Sequence, residues 1–127
     1  MTTYSSTPSS LLKTDVCQSL NGFSFGRLGD ENGEHPGLPA LLKGCRIVAS
    51  GVGTIPQATR AHAGESHRHP QAEVFIISKG KVFVPECLDG PTVGPGEWIF
   101  VLADVEHHLT TPADSDCTAL WMLLEAT

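Results

Sequence analysis

Six histidines occur in the chain, and four of them form two tight groups, His67 with His69 and His107 with His108. On an extended strand residues i and i+2 point to the same face, so the imidazoles of His67 and His69 face one way. Pro70 breaks that run, and Glu73 opens a second strand that returns past the same region. Two imidazoles and one carboxylate on one face bind a divalent ion and leave coordination positions open. A further ligand has to come from a distant strand, and His107 and His108 are the candidates with suitable context. An ion held this way can polarise a bound oxygen, acidify a water or, if redox-active, bind O2.

The elements that must position these residues are short. Residues 47–52 are β-branched and bounded by Gly44 and Gly53. Residues 73–78 form a strand, Lys79-Gly80 a turn, and residues 82–84 the return strand of a hairpin. Turns are expected at Asp89-Gly90-Pro91 and Pro95-Gly96, with strands over residues 97–102 and 117–125. Upstream, residues 11–20 read as a helical turn or a first edge strand. Residues 21–29 read as a weakly alternating strand around Phe23 and Phe25, and residues 29–39 as a loop. Short strands between frequent turns imply an all-β sandwich or barrel.

Strand parity turns Phe75, Ile77, Val82, Val84, Ile99 and Val101 inward as pocket walls. Trp98 and Trp121 should fill core or cover the outer sheet, although either could wall a pocket. His108 alternates to the outer face if His107 points in. His62 is expected on a loop near the rim, as the weak candidate for a catalytic acid or base. Arg60 and Arg68 are the cations near the motif and read as solvated surface charges.

The spacing His67-x-His69-x3-Glu73-x6-Gly80, followed by Gly96-x10-His107, resembles the two motifs of the cupin family. The resemblance covers roughly residues 43–124. It implies a small jelly-roll β-barrel with one divalent metal ion in its mouth, held by His67, His69, Glu73 and His107. Fe(II) is favoured, with Mn, Ni, Cu or Zn as alternatives. Some motif positions differ. Ala61 stands where the first motif has Gly, Leu102 and Asp104 where the second has Pro and Gly, and Thr111 where it has Asn.

The bulk numbers fit one domain. The chain has 127 residues, 40% of them apolar and 17% charged, with 13 Gly and 9 Pro to supply turns. Its net charge of −6, with no Lys/Arg cluster, argues against nucleic acid or an anionic membrane as partner. Cys17, Cys45, Cys87 and Cys117 are scattered without a CxxC pair. They read as reduced thiols of a cytoplasmic protein. The first residues show neither a basic start nor an apolar stretch of the signal-peptide kind. Residues 1–10 read as a flexible N-terminal arm and residues 11–127 as a single domain.

Residues 74–77 and 120–124 are apolar on both strand faces, so either the N-terminal segment or a second subunit should cover the outside. A homodimer is the expected assembly. The function expected is an oxygenase acting on a small organic substrate. Its alternatives are a redox-neutral isomerase, lyase or dehydratase, for which His62, Tyr4 and Glu97 are weak bases, and a binding module without chemistry.

Overall fold

The computed structural model describes residues 18–29 and 37–127. The expected arm over residues 1–10, Tyr4, Cys17 and the rest of residues 11–17 lie outside these. The described elements are β1 (Gln18–Leu20), β2 (Phe23–Arg27), α1 (Gly37–Leu42), β3 (Cys45–Ile55), β4 (Ala72–Gly80), β5 (Glu97–Val101) and β6 (Cys117–Ala126). The six strands form one sheet in the order β1-β2-β5-β4-β6-β3, antiparallel at every pairing. This is the all-β, jelly-roll class that the sequence implies. None of the described helices is long and apolar enough to cross a membrane.

The two faces of the sheet carry separate cores, which explains the strands that are apolar throughout. In β5 all five residues are buried. Ile99 and Val101 join Phe23, Phe25 and Ile77 on the inner face, whereas Trp98 and Phe100 join Val74 and Leu124 on the outer face. Each large side chain so buried contributes roughly 1.5–3 kcal/mol. Helix α1 lies over the outer core. Leu38, Leu41 and Leu42, spaced by three and four residues, form its apolar stripe. The N-terminal part of the chain thus covers much of the outer face, while Ile47, Val52 and Leu120 stay exposed on β3 and β6. Opposite the sheet, the inner core is closed by irregular segments joined through single bridges, Val82 to Val93 and Phe83 to Thr110.

Several expectations about elements change. Residues 73–84 are not a hairpin. Strand β4 uses both edges, pairing with β5 on one side and β6 on the other, so no edge remains for residues 82–84, which bridge elsewhere. The loop over residues 29–39 gives way to α1 at Gly37. Pro39 falls in the first helical turn, where its missing N–H costs nothing. Strand β3 does not stop at Gly53 but runs on to Ile55.

Gly80 and Gly96 do take positive φ, 79° and 82°, as their turns require. Their surroundings differ. A Cβ on Gly96 would meet nothing within 4 Å, whereas one on Gly80 would overlap the backbone carbonyl of Asp116. Gly96→Ala should cost about 1–2 kcal/mol, the strain of a left-handed residue. Gly80→Ala should cost distinctly more, because backbone must move as well. Thermal unfolding of the two variants compares them, and equal losses would contradict the close approach at Gly80.

Candidate metal centre

Glu73 is the second residue of β4, and its side chain is only 8% exposed. Its neighbours in register are Val101 on β5 and Leu123 on β6, so the carboxylate sits on a strand held from both sides. His67 and His69 lie in an extended segment just before β4 that belongs to no strand, contrary to expectation. The alternation survives: both histidines are half-buried, while Ser66, Arg68 and Pro70 are exposed. Two backbone bonds hold the segment in place of a ladder. The Asp104 N–H donates to His69 O at 2.8 Å and the His107 N–H to His67 O at 3.0 Å. The same pairing brings His107 to Glu73. Asp104, at the expected glycine position, adopts φ 63° itself, a conformation that Asp tolerates. Thr111 likewise serves a turn. Its buried hydroxyl accepts the Thr59 N–H at 2.9 Å and donates to Pro56 O.

The ring orientations follow from hydrogen bonds to backbone carbonyls, which can only accept. The Nδ1–H of His69 donates to Gln71 O at 2.7 Å, and that of His107 to Val105 O at 2.8 Å. In the neutral imidazole this leaves a lone pair on each Nε2. Those two Nε2 atoms stand 2.9 and 3.0 Å from the same oxygen, Glu73 Oε1. Three electron-rich atoms this close repel one another unless a cation or protons intervene. His67 completes the group, its ring edge-to-face with that of His107 at 4.7 Å. Its pKa is lowered, first by burial and then by neighbouring imidazoles, so it stays neutral and able to donate a lone pair. One ring nitrogen from each histidine and one Glu73 oxygen lie within 4.8 Å of one another. Two donors about 2.1 Å from one ion and at right angles to each other are about 3.0 Å apart. The donor set therefore fits a divalent ion, with backbone carbonyls orienting the rings as second partners commonly do.

His108 turns the other way, as alternation requires, but it is 2% exposed rather than solvated. Its Nε2–H donates to Glu65 O at 2.7 Å, and its Nδ1–H faces Glu86 Oε2. Both ring nitrogens thus carry protons, and the ring is an imidazolium paired with a carboxylate. Its backbone N–H also donates to Glu86 Oε1 at 3.0 Å. Arg60 bonds Glu86 at 3.0 Å and Arg68 bonds Glu106 at 3.2 Å, so both expected surface cations are engaged in ion pairs. Glu86, Glu106 and His108 also cluster within 4.8 Å. However, the His108 nitrogens are already committed and the carboxylates are neutralised by arginines, so this cluster is an ion-pair network.

The four-residue cluster forms one end of a cavity of about 400 Å³. Phe75, Leu109, Ala119, Trp121, Leu123 and Ile55 supply apolar walls. Of the six residues expected to wall it, only Phe75 does so. Ile77, Val82, Val84, Ile99 and Val101 point inward but fill the core beyond it. Trp121 is a wall, whereas Trp98 is buried in the outer core. His62 lines the rim, stacked on His67 with ring centres 4.2 Å apart. Glu97 is not a wall. It begins β5, at the end remote from the Glu73 pairing, where the Gly94 N–H bonds its carboxylate and burial raises its pKa. Gly53, Ile55, Leu109, Ala119 and Leu123 also line the cavity, although no local pattern in the sequence marks them as walls.

The Cupin domain family matches residues 57–123. No curated protein sequence matches the chain. Among solved structures it is similar to a cupin protein from Bacteroides fragilis, with 18% identity, TM-score 0.45, and 61% of this chain and 64% of that chain covered. It is similar to the polyketide cyclase RemF from Streptomyces resistomycificus, with 16% identity, TM-score 0.51, and coverage of 83% and 66%. A candidate mannose-6-phosphate isomerase from Ralstonia eutropha JMP134 shares 18% identity at TM-score 0.47, with coverage of 89% and 94%. The chain thus spans slightly under two thirds of the first two proteins. At such identities the likeness concerns the fold alone.

The His108–Glu86 pair sets a pH window. Burial opposes charge on both groups, but their mutual hydrogen bond and the bond to Glu65 O prevail, so His108 is raised from 6.5 and Glu86 lowered from 4.5. The raised His108 contributes stability fully below pH 6.5, lost as pH climbs through its folded value. The lowered Glu86 contributes fully above pH 4.5, lost as pH falls through its folded value. Glu86→Gln should therefore cost about 2 kcal/mol between those limits and less at alkaline pH. Chemical denaturation of metal-free protein across pH measures this, and a pH-independent difference would contradict the ionic assignment.

Proposed function

The chain belongs to the cupin domain family, and from that premise we propose that it is a metal-dependent oxygenase of a small organic substrate, working with one Fe(II) ion per chain. The observation that carries this reading is the convergence of His67, His69, Glu73 and His107 at the end of a cavity with apolar walls. Fe(II) held there would supply the one-electron chemistry by which O2 is activated beside a bound substrate. The chain's own residues do the rest. Gln71 O and Val105 O fix the imidazole rings of His69 and His107. Phe75, Leu109 and Trp121 keep bulk water from the reacting end. Glu73 is engaged as a ligand and is unavailable as a base.

A redox-neutral reading, as isomerase, lyase or dehydratase, rests on His62. Among the described wall residues outside the cluster it is the one that can carry a proton at the cavity rim. The two readings separate cleanly. Purified protein loaded with Fe(II) should consume O2 when given a bidentate enol, catechol or thiol. Turnover with Zn(II) under strict anaerobiosis would favour the redox-neutral alternative. Metal analysis should find about one equivalent per chain, and Glu73→Gln or His69→Ala should reduce affinity at least tenfold. Unchanged metal content in both variants would remove the centre on which the reading depends.

The expected homodimer belongs to the same proposal. Among the described residues β3 forms one of the two edges of the sheet, and Ile47 and Val52 are exposed on it at 58% and 70%. A second copy placed about a twofold axis would cover that strip. Light scattering should give twice the chain mass, and Val52→Lys should give the monomer. A wild-type protein that is monomeric at all concentrations would overturn the assembly.

A further inference from the structure

The inner face of β3 is bare at two alternate positions, Gly51 and Gly53, in a strand otherwise built from larger residues. Gly51 stands directly across from Trp121 on β6, and Trp121 stands across from Phe75 on β4. A Cβ on Gly51 would come within 2.7 Å of Trp121 Cζ2. The indole therefore lies down over Gly51, and a side chain there would lift it into the cavity. Beside it, a Cβ on Gly53 would meet only Trp121 Cδ1, at 4.0 Å. The two glycines leave a flat aromatic floor with open space above it.

Polarity along the cavity is one-sided. Apart from the indole N–H of Trp121, its polar wall groups are the four-residue cluster and His62, all at one end. No Lys, Arg, Asp, Ser, Thr, Asn or Gln is among the described wall residues. A sugar or phosphate lying over Trp121 would leave its hydroxyls or charge without partners, at a cost of about 1–3 kcal/mol for each group. An apolar cavity of about 150 Å³ already takes benzene. A space of about 400 Å³ takes two or three fused rings.

We propose that the cavity binds a neutral, planar, aromatic molecule. Its flat face rests on Trp121 above Gly51 and Gly53, and its oxygen-bearing edge is turned to the histidine end. This rests on the reading of the cavity as the substrate site and specifies the substrate class.

Calorimetric titration of chelator-treated protein with 2-naphthol tests it, with glucose 6-phosphate as the polar comparison. Because no metal is present, loss of the metal reading would appear in metal analysis and loss of this one in the titration. Naphthol should bind, and glucose 6-phosphate should not. Gly53→Val, whose side chain would project into the open space, should weaken naphthol at least tenfold. Trp121→Leu should weaken it about threefold to tenfold by removing the stacking surface. Circular dichroism confirms that each variant is folded, and either one alone suffices for the comparison. Absence of naphthol binding, equal binding of glucose 6-phosphate, or binding that neither substitution weakens would overturn the proposal.

Discussion

Two backbone carbonyls, Gln71 O and Val105 O, govern the centre. By accepting the Nδ1–H of His69 and His107 they fix which nitrogen keeps its lone pair and where it points. Both lone pairs then meet one oxygen of Glu73. The arrangement is only as firm as the backbone that presents those carbonyls. Residue 71 leads into β4, which is bonded on both edges, and residue 105 lies in a segment tied to the His67–His69 stretch by backbone bonds on both sides. The sheet, the two cores and α1 all serve to hold β4 in the middle.

The consecutive pair His107 and His108 shows how one residue type takes two opposite duties. Extended backbone sends the first toward Glu73 and the second away from it. His107 gives its Nδ1–H to a carbonyl and keeps a lone pair, while His108 has acceptors at both nitrogens and becomes a cation. The cation is not idle structure. Its bond to Glu65 O holds the stretch that leads into His67 and His69, so the network behind the site supports the loop in front of it.

The cavity is shaped as much by missing side chains as by present ones. Gly51 lets Trp121 lie flat, and Gly53 leaves the space beside it open. Elsewhere the same economy holds the core: Gly26 leaves room for the buried Trp98 ring on the outer face. Each of these two indoles lies over a glycine directly across the strand, Trp121 over Gly51 and Trp98 over Gly26, where any side chain would collide with the ring.

Local order in the sequence determined a good deal. The His67-x-His69 spacing and the nearby Glu73 put three donors on one side, because the alternation of extended chain is set by its own covalent geometry. Most strand positions and the positive-φ turns at Gly80 and Gly96 were legible for the same local reason. What the tertiary structure alone decided concerns residues far apart along the chain. It selected β5 and β6 rather than residues 82–84 as partners of β4, brought His107 to Glu73 while giving Glu86 to His108, and laid Trp121 over Gly51. Such pairings depend on which apolar faces bury together, a property of the whole packed chain that no short stretch of residues carries.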